Sequence, residues 1–400
     1  MFIQVILLYL LTTTSADVHD TLTYHYDYDV VVYDATSGGV TAAVAAAQNG
    51  HHTALLCASF PACFVEGGQR VGGMSSGGLG QTDLGPTWPY IGGLAREFYQ
   101  RNRAHYGNRS KSGSRGSHAT TEENGIPCRL PSQKGCNNIA FNLEPHVARS
   151  VFEEMLKESH VDVFYGAQAL SIHKNINNTK VIETLTIHGN VSFSAHIFID
   201  ASYEGYLMKV ANVSSVVGRE ARSQYNESLA GFRTNATENQ FSLSVDPFDT
   251  TTGQPLPLTA LPPDLSLHME VEGMADNRVQ AYNFRLCVTQ VQSNSVPFPK
   301  PAKYDRTRFE LFRRYAVKCA HLNSSHSKLC ELDFPSCNTQ RVPNLKYDMN
   351  NCGGISSDFI GGSLQYPDAT YNDRKEIWLQ HLQYQQVRVC CFYYYTTSFF

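Results

Sequence analysis

Charge is sparse in this chain of 400 residues, and no block of one sign occurs. Lys and Arg number 32 against 36 Asp and Glu, a formal net charge of −4, and charged residues make up 17% of the sequence. Without a run of Lys and Arg nothing neutralises a phosphate backbone or an anionic lipid surface, which excludes nucleic acid and membrane as the main partner. Long apolar runs are missing too. The stretch Phe2–Leu11 is about 10 residues where a spanning helix needs about 20, so no membrane span is expected. No C-x-x-C pair occurs, and His321 and His326 lack ligand spacing with the thiols near them, which argues against zinc. H-E-x-x-H and the P-loop string G-x-x-x-x-G-K-[ST] are likewise absent, removing the zinc-protease and P-loop kinase readings. What is present is globular. A hydrophobic content of 42% over this length can bury large cores without a disulfide or metal scaffold, as two or three domains or one large interleaved one.

The ends and the cysteines speak to compartment. Phe2–Leu11 is followed by the small residues Thr14, Ser15 and Ala16, so residues 1–16 read as a signal peptide, with a buried N-terminal strand as the other reading. Sequons at Asn108, Asn177, Asn190, Asn212, Asn226, Asn235 and Asn323 point the same way, to a secreted or secretory-lumen glycoprotein. All 11 cysteines follow Ala16, and Cys128 with Cys136, and pairs within Cys319, Cys330, Cys337 and Cys352, are expected disulfides. An odd count leaves a free thiol, for which Cys57 is the candidate. After an amphipathic stretch at 374–389 the chain ends VCCFYYYTTSFF, with six aromatics in the last nine residues. Either this is a buried terminal strand, or the natural course stops near residue 387 and residues 388–400 are a mis-joined tail.

Tyr28–Tyr33 is a β-branched run of the kind found in buried parallel strands. The turn Asp34-Ala-Thr-Ser-Gly-Gly39 then enters an Ala-rich helical stretch ended by Gly50, and a second strand follows at Thr53–Leu56. This order is the βαβ unit that sets a helix N-terminus against a dinucleotide pyrophosphate. Against G-x-G-x-x-G, the glycine positions fall on Asp34, Thr36 and Gly39, so only the third is glycine. Asp34 brings a carboxylate towards the phosphate site, and the acid expected on a ribose hydroxyl is replaced near Cys57. Taken alone, the segment also reads as an ordinary βα turn.

Residues 66–83 hold seven glycines, among them Gly72, Gly73, Gly77 and Gly78. So dense a loop wraps its N–H groups around a flat or anionic ligand, or is flexible. Its GGMSSGGLGQTD run resembles the signature GGM-x-x-GGLG-x-TD of the FAD-dependent oxidoreductase family. The resemblance continues at Asn142-Leu-Glu-Pro-His, which opens a helix to about Lys157, and through β-rich runs at Val161–His173, Lys180–His188 and Val191–Asp200 that lead into Ile199-Asp-Ala-Ser-Tyr-Glu-Gly205. Segments around Tyr282, Asp348, Asp358 and Asp368 also match, so the likeness covers roughly residues 28–387. Tyr206 stands where the family often has an acid.

The resemblance implies an α/β fold: a Rossmann-like FAD-binding domain of the glutathione-reductase type, with an interleaved α+β substrate region, C-terminally incomplete. Residues 28–205 would form the N-terminal part of the FAD domain and 206–387 the substrate region. FAD would be held by Thr36, Ser37, Gly38, Gly39, Gly72, Gly73, Met74, Gly77, Gly78, Asp83, Asp200 and Ala201. A small-molecule substrate would meet Tyr282, Arg285, Asp348 and Asn351. Two residues keep bland alternatives: Asp200 as a strand-end cap, and Arg285 as a structural ion-pair partner. The implied reaction is oxidation of a CH–OH or CH–NH carbon by hydride transfer to flavin, with an unknown acceptor for which oxygen is the natural choice outside the cell. The rival expectations are a secreted, non-catalytic glycoprotein on a degenerate flavoprotein scaffold, or a fragment of a longer enzyme.

Overall fold

A computed structural model describes residues 24–58, 63–83, 89–107, 139–233, 241–256, 271–301, 306–320, 339–350 and 357–397, with short breaks inside some of these ranges. Strand β1 (Tyr24–Tyr33) leads into helix α1 (Ser37–Gln48) and strand β2 (Thr53–Cys57). β1 and β2 are parallel, with Val30 opposite Thr53 and Tyr33 opposite Leu56. The βαβ unit expected from the sequence is therefore formed. Gly50, at φ +86°, follows the helix as expected of a residue free to turn left-handed.

Both faces of β1 are covered, which is why its core half is a continuous apolar run. Val30 and Val32 pack under Val40, Ala43 and Val44 of α1, while Val31 and Tyr33 point the other way, towards Leu56, Leu185 and Phe193. After a short ribbon of β3 (Phe64–Val65) and β4 (Gly68–Gln69) come helix α2 (Gly73–Ser76), helix α3 (Gly93–Gly107) and helix α4 (Pro145–Glu158). Val147, Val151, Phe152 and Met155 of α4 join the cluster under α1.

The run Val161–His173, expected as one β-rich stretch, is two strands. β5 (Asp162–Tyr165) pairs parallel to β2, and Gly166, at φ +76°, turns the chain into β6 (Ala169–Asn175). β6, β7 (Asn178–Ile187) and β8 (Val191–Asp200) form an antiparallel meander. β8 then lies parallel to β1, with Tyr33 opposite Asp200. The meander thus continues the nucleotide sheet rather than stacking against it, in the order β5-β2-β1-β8-β7-β6. Helix α5 (Tyr206–Val210) follows directly.

A separate antiparallel sheet is ordered β10 (Thr339–Val342), β11 (Lys346–Met349), β9 (Leu286–Thr289). Residues two apart on β11 share a face, and Lys346 and Asp348 both reach the first unit: Lys346 Nζ to Glu144 at 2.6 Å, and Asp348 to the glycine-rich loop. The chain closes with a helix over Tyr371–Thr397. A terminal strand is therefore corrected to helix. No Gly or Pro interrupts the helix after Arg374, and between Arg374 and Val387 it buries Arg374, His381, Tyr384, Gln385 and Val387. The segment expected to be a signal peptide, and Cys128, Cys136, Cys330, Cys337 and Cys352, lie outside the described residues. No described helix is long and apolar enough to cross a membrane.

Candidate functional site

Helix α1 starts as an anion-binding turn would. Thr36 is its N-cap: Gly39 N–H donates to Thr36 Oγ1 at 3.1 Å, and that hydroxyl donates to Ala201 O at 2.8 Å. The first intrahelical bond comes from Val40 N–H, so the N–H groups of Ser37 and Gly38 precede the ladder, and Gly38 is exposed. Gly39 carries the close approach. A Cβ there would lie 2.0 Å from Asp34 O and 3.1 Å from Ala201 Cβ, so only glycine lets the helix sit on β1 and β8.

The turn departs from the glycine fingerprint in a defined way. Asp34 adopts φ +79°, the left-handed conformation that makes glycine the usual residue there, and it is fully buried with Oδ1 accepting from Ala35 N–H at 3.0 Å. Cys57 is joined to Cys63, which corrects the expectation that it is the free thiol. Among the described residues the free cysteine is Cys287. The disulfide occupies the end of β2, where a ribose-binding carboxylate would stand.

The glycine-rich loop connects this turn to a second site. On one side Gly72 pairs with Thr36 across a parallel bridge and donates its N–H to Ala35 O at 2.8 Å. Met74 N–H donates to Tyr203 Oη at 2.8 Å, while the Met74 side chain is exposed. Gly77 packs beside the Arg70 guanidinium. On the other side Gly80 and Gln81 donate their N–H groups to Asp348 Oδ2 at 3.0 and 3.3 Å. The same carboxylate, buried to 1% exposure, takes Arg285 Nε at 3.0 Å and Nη2 at 2.7 Å. Gly78, at φ +136°, lies so close to Arg285 that a Cβ would stand 2.6 Å from Arg285 Cβ.

Between these groups is a cavity of about 370 Å3. Its polar wall is Ser75, Gln81, Thr82, Asp83, Arg285 and Asn350; its apolar wall is Leu79, Phe98, Tyr99 and Leu143. Tyr99 Oη and Thr82 Oγ1 are hydrogen-bonded at 3.3 Å. The string Gly73–Gly77 also reads G-x-S-x-G, the pattern of a serine-hydrolase elbow, with Ser75 at its centre. No strand leads into it in the way that fold requires, and among the described residues no histidine bonds Ser75, so the nucleophile reading has no geometric support.

Beyond the α1 turn, Glu204 is nearly buried, with Arg374 Nη1 at 3.6 Å. Burial pushes its carboxyl above the ordinary glutamate value; Arg374 opposes this, and the negative charge of Asp34 adds to it. Arg374 is itself committed to the carbonyls of Tyr366 and Pro367 and to the ring faces of Tyr206 and Tyr366.

Of the expected site residues, the structure brings Thr36, Ser37, Gly38, Gly39, Gly72, Gly73 and Ala201 to one end of the loop, and Asp83, Arg285 and Asp348 to the other. The Asp200 carboxylate is taken up locally, by Ser202 N–H, Ser202 Oγ and Met208 N–H. Tyr282 packs against Tyr366 and His381 and is not part of the cavity wall. Asn351 lies outside the described residues; its neighbour Asn350 lines the cavity. Phe98 and Tyr99 were not singled out from the sequence; Gln81 and Thr82 stood there only within the GGMSSGGLGQTD run, and Leu143 only within Asn142-Leu-Glu-Pro-His. Only the amphipathic spacing of α3 signals the first two, and nothing local marks Leu143.

No curated protein sequence matches the chain. Among solved structures, a geranylgeranyl bacteriochlorophyll reductase-like protein from Thermoplasma acidophilum is 21% identical, covers 48% of this chain and 44% of its own, and has a TM-score of 0.29. L-proline dehydrogenase from P. horikoshii is 15% identical, with coverages of 50% and 59% and a TM-score of 0.30. PqsL from Pseudomonas aeruginosa, described as a probable FAD-dependent monooxygenase, is 14% identical, with coverages of 48% and 47% and a TM-score of 0.30. The chain spans less than two thirds of each of these structures, and likenesses at that level do not define a shared overall architecture. The model of the FAD dependent oxidoreductase family, by contrast, matches residues 29–395. The chain belongs to the FAD-dependent oxidoreductase family.

Proposed function

We propose that the protein oxidises a small organic substrate at a CH–OH or CH–NH carbon, with FAD as cofactor. One observation carries this reading: a single glycine-rich loop closes on the α1 N-terminus at one end and walls a polar cavity at the other. The α1 turn fits a pyrophosphate. Its cap is satisfied by Thr36, its leading N–H groups belong to the small residues Ser37 and Gly38, and Gly39, Gly72 and Gly73 keep Cβ atoms out of the turn. These residues would hold the cofactor. The ribose end departs from the family pattern, since a disulfide replaces the carboxylate there.

FAD, when bound, supplies the acceptor for a hydride, so the substrate C–H leaves with two electrons and the hydroxyl or amine proton leaves separately to give a carbonyl or imine. Arg285, fixed side-on by Asp348, orients the substrate from the cavity wall, and Phe98, Tyr99 and Leu143 limit water there. Oxygen is the proposed final acceptor, taking the two electrons and two protons to form hydrogen peroxide. Secretion is proposed with it, supported by the Cys57–Cys63 disulfide and by the exposure of the sequon residues Asn177, Asn190, Asn212 and Asn226.

The test is to express the chain with its leader, load it with FAD, and add alcohols and amines without oxygen. Bleaching of the flavin band that returns on aeration is expected. A flavin-loaded protein that stays oxidised across the panel contradicts the reading. Asp34 and the disulfide favour one rival, a non-catalytic glycoprotein on the same scaffold, which would purify colourless.

A further inference from the structure

Resting on the α1 turn as the FAD site, we propose that Tyr203 is a further cofactor-binding residue, whose hydroxyl donates to the FAD pyrophosphate. The end of β8 delivers it there. Ala201 donates its N–H to Tyr33 O at 2.9 Å and accepts the Thr36 hydroxyl at 2.8 Å, so the chain leaving β8 is pinned to β1 and to the α1 cap. Two residues on, the Tyr203 side chain reaches the glycine-rich loop, where Oη accepts from Met74 N–H at 2.8 Å. The hydroxyl lies in the angle between that loop and the helix start. A Cβ on Gly73 would stand 2.2 Å from Tyr203 Oη and 3.0 Å from Thr36 Cα, so the missing side chain of Gly73 is what lets the hydroxyl come this near the cap.

What this hydroxyl still offers is a donor. Met74 N–H takes up an oxygen lone pair, and among the described residues no acceptor takes the Tyr203 hydrogen. The residue is 45% exposed, so a ligand can reach it. Burial holds the phenol above the ordinary tyrosine value; Met74 N–H opposes this, Asp34 adds to it and Arg70 opposes it, and the proton stays in place at neutral pH. An anion at the α1 turn then meets the N–H groups of Ser37 and Gly38 from the helix and the Tyr203 O–H from the loop side. With the Asp34 carboxylate close by, the turn needs such a donor more than a turn with glycine at that position would.

The experiment titrates FAD into the purified full chain and into its Tyr203→Phe variant, followed by flavin fluorescence, and records the phosphorus NMR spectrum of each saturated complex. Phe keeps the ring and removes only the hydroxyl. The variant is expected to bind FAD about tenfold to a hundredfold more weakly, the worth of one hydrogen bond to a charged group, and to show moved pyrophosphate resonances. Gly73→Ala, whose Cβ displaces the hydroxyl, gives a second variant should the first fail to fold, with the same two changes expected. Unchanged affinity, or weaker binding with unmoved phosphorus resonances, overturns the proposal and leaves the α1 turn standing as the FAD site. Tighter binding by Tyr203→Phe overturns it as well, since the hydroxyl would then obstruct the turn. A parent chain that binds no FAD removes the cofactor reading, and the proposal with it.

Discussion

If the α1 turn holds the FAD pyrophosphate as proposed, Asp34 is the side chain expected to weigh against cofactor binding. It holds a left-handed turn that glycine holds without strain, and it places a carboxylate two residues before the α1 cap. Replacing it with glycine removes one negative charge near the pyrophosphate position. Asp34→Gly is therefore expected to bind FAD at least about tenfold tighter in a fluorescence titration; an unchanged affinity would mean that the bond from Ala35 N–H already screens the carboxylate. Because burial raises the Glu204 carboxyl in the folded protein, the fold keeps a proton that the unfolded chain has released. The resulting stabilisation is full below the ordinary glutamate value and is lost as pH rises through the raised one. Melting temperature should fall across that window, and Glu204→Gln should flatten the profile. At this scale Thr36, Gly39 and the loop glycines were legible because their roles are backbone roles written in the sequence. Asp200 was legible only as one of two alternatives, a cofactor residue or a strand-end cap, and the folded turn, where Ser202 and Met208 take up the carboxylate, shows the second.

Among the elements, the small sheet docks on the glycine-rich loop. β11 presents Lys346 and Asp348 from one face, and Asp348 alone gathers two loop N–H groups and the Arg285 guanidinium. Asp348→Ala leaves Arg285 and both N–H groups without that acceptor. It is expected to cost about 3–5 kcal/mol, as breaking a buried pair does, read as a lowered midpoint in urea unfolding. A loss below about 1 kcal/mol would show that water reaches this joint and replaces the carboxylate. The βαβ unit and the start of α4 were legible from period and punctuation. The split of Val161–His173 was not: Gly166 marks a turn locally, but that β5 joins β2 depends on partners about a hundred residues away. Nor was the terminal helix read correctly, because aromatic residues suit a strand on propensity, while the absence of Gly and Pro after Arg374 lets the preceding helix continue.

In the whole molecule one loop joins two halves. The first sheet with α1 forms the turn proposed to take the dinucleotide, Arg285 and Asn350 beside the second sheet wall the cavity together with Phe98, Tyr99 and Leu143, and residues 72–83 reach both. The sequence made that loop visible because seven glycines in eighteen residues have few structural uses. It left the cavity's apolar wall hidden, since Phe98 and Leu143 come together only through the packing of α3 against the segment before α4. Recording the visible absorption spectrum of the purified, folded chain, followed by its thermal unfolding with and without added FAD, tests the central claim most directly. Flavin absorption bands, and a melting temperature raised by FAD, are expected. A colourless folded protein whose unfolding FAD does not shift would contradict the account.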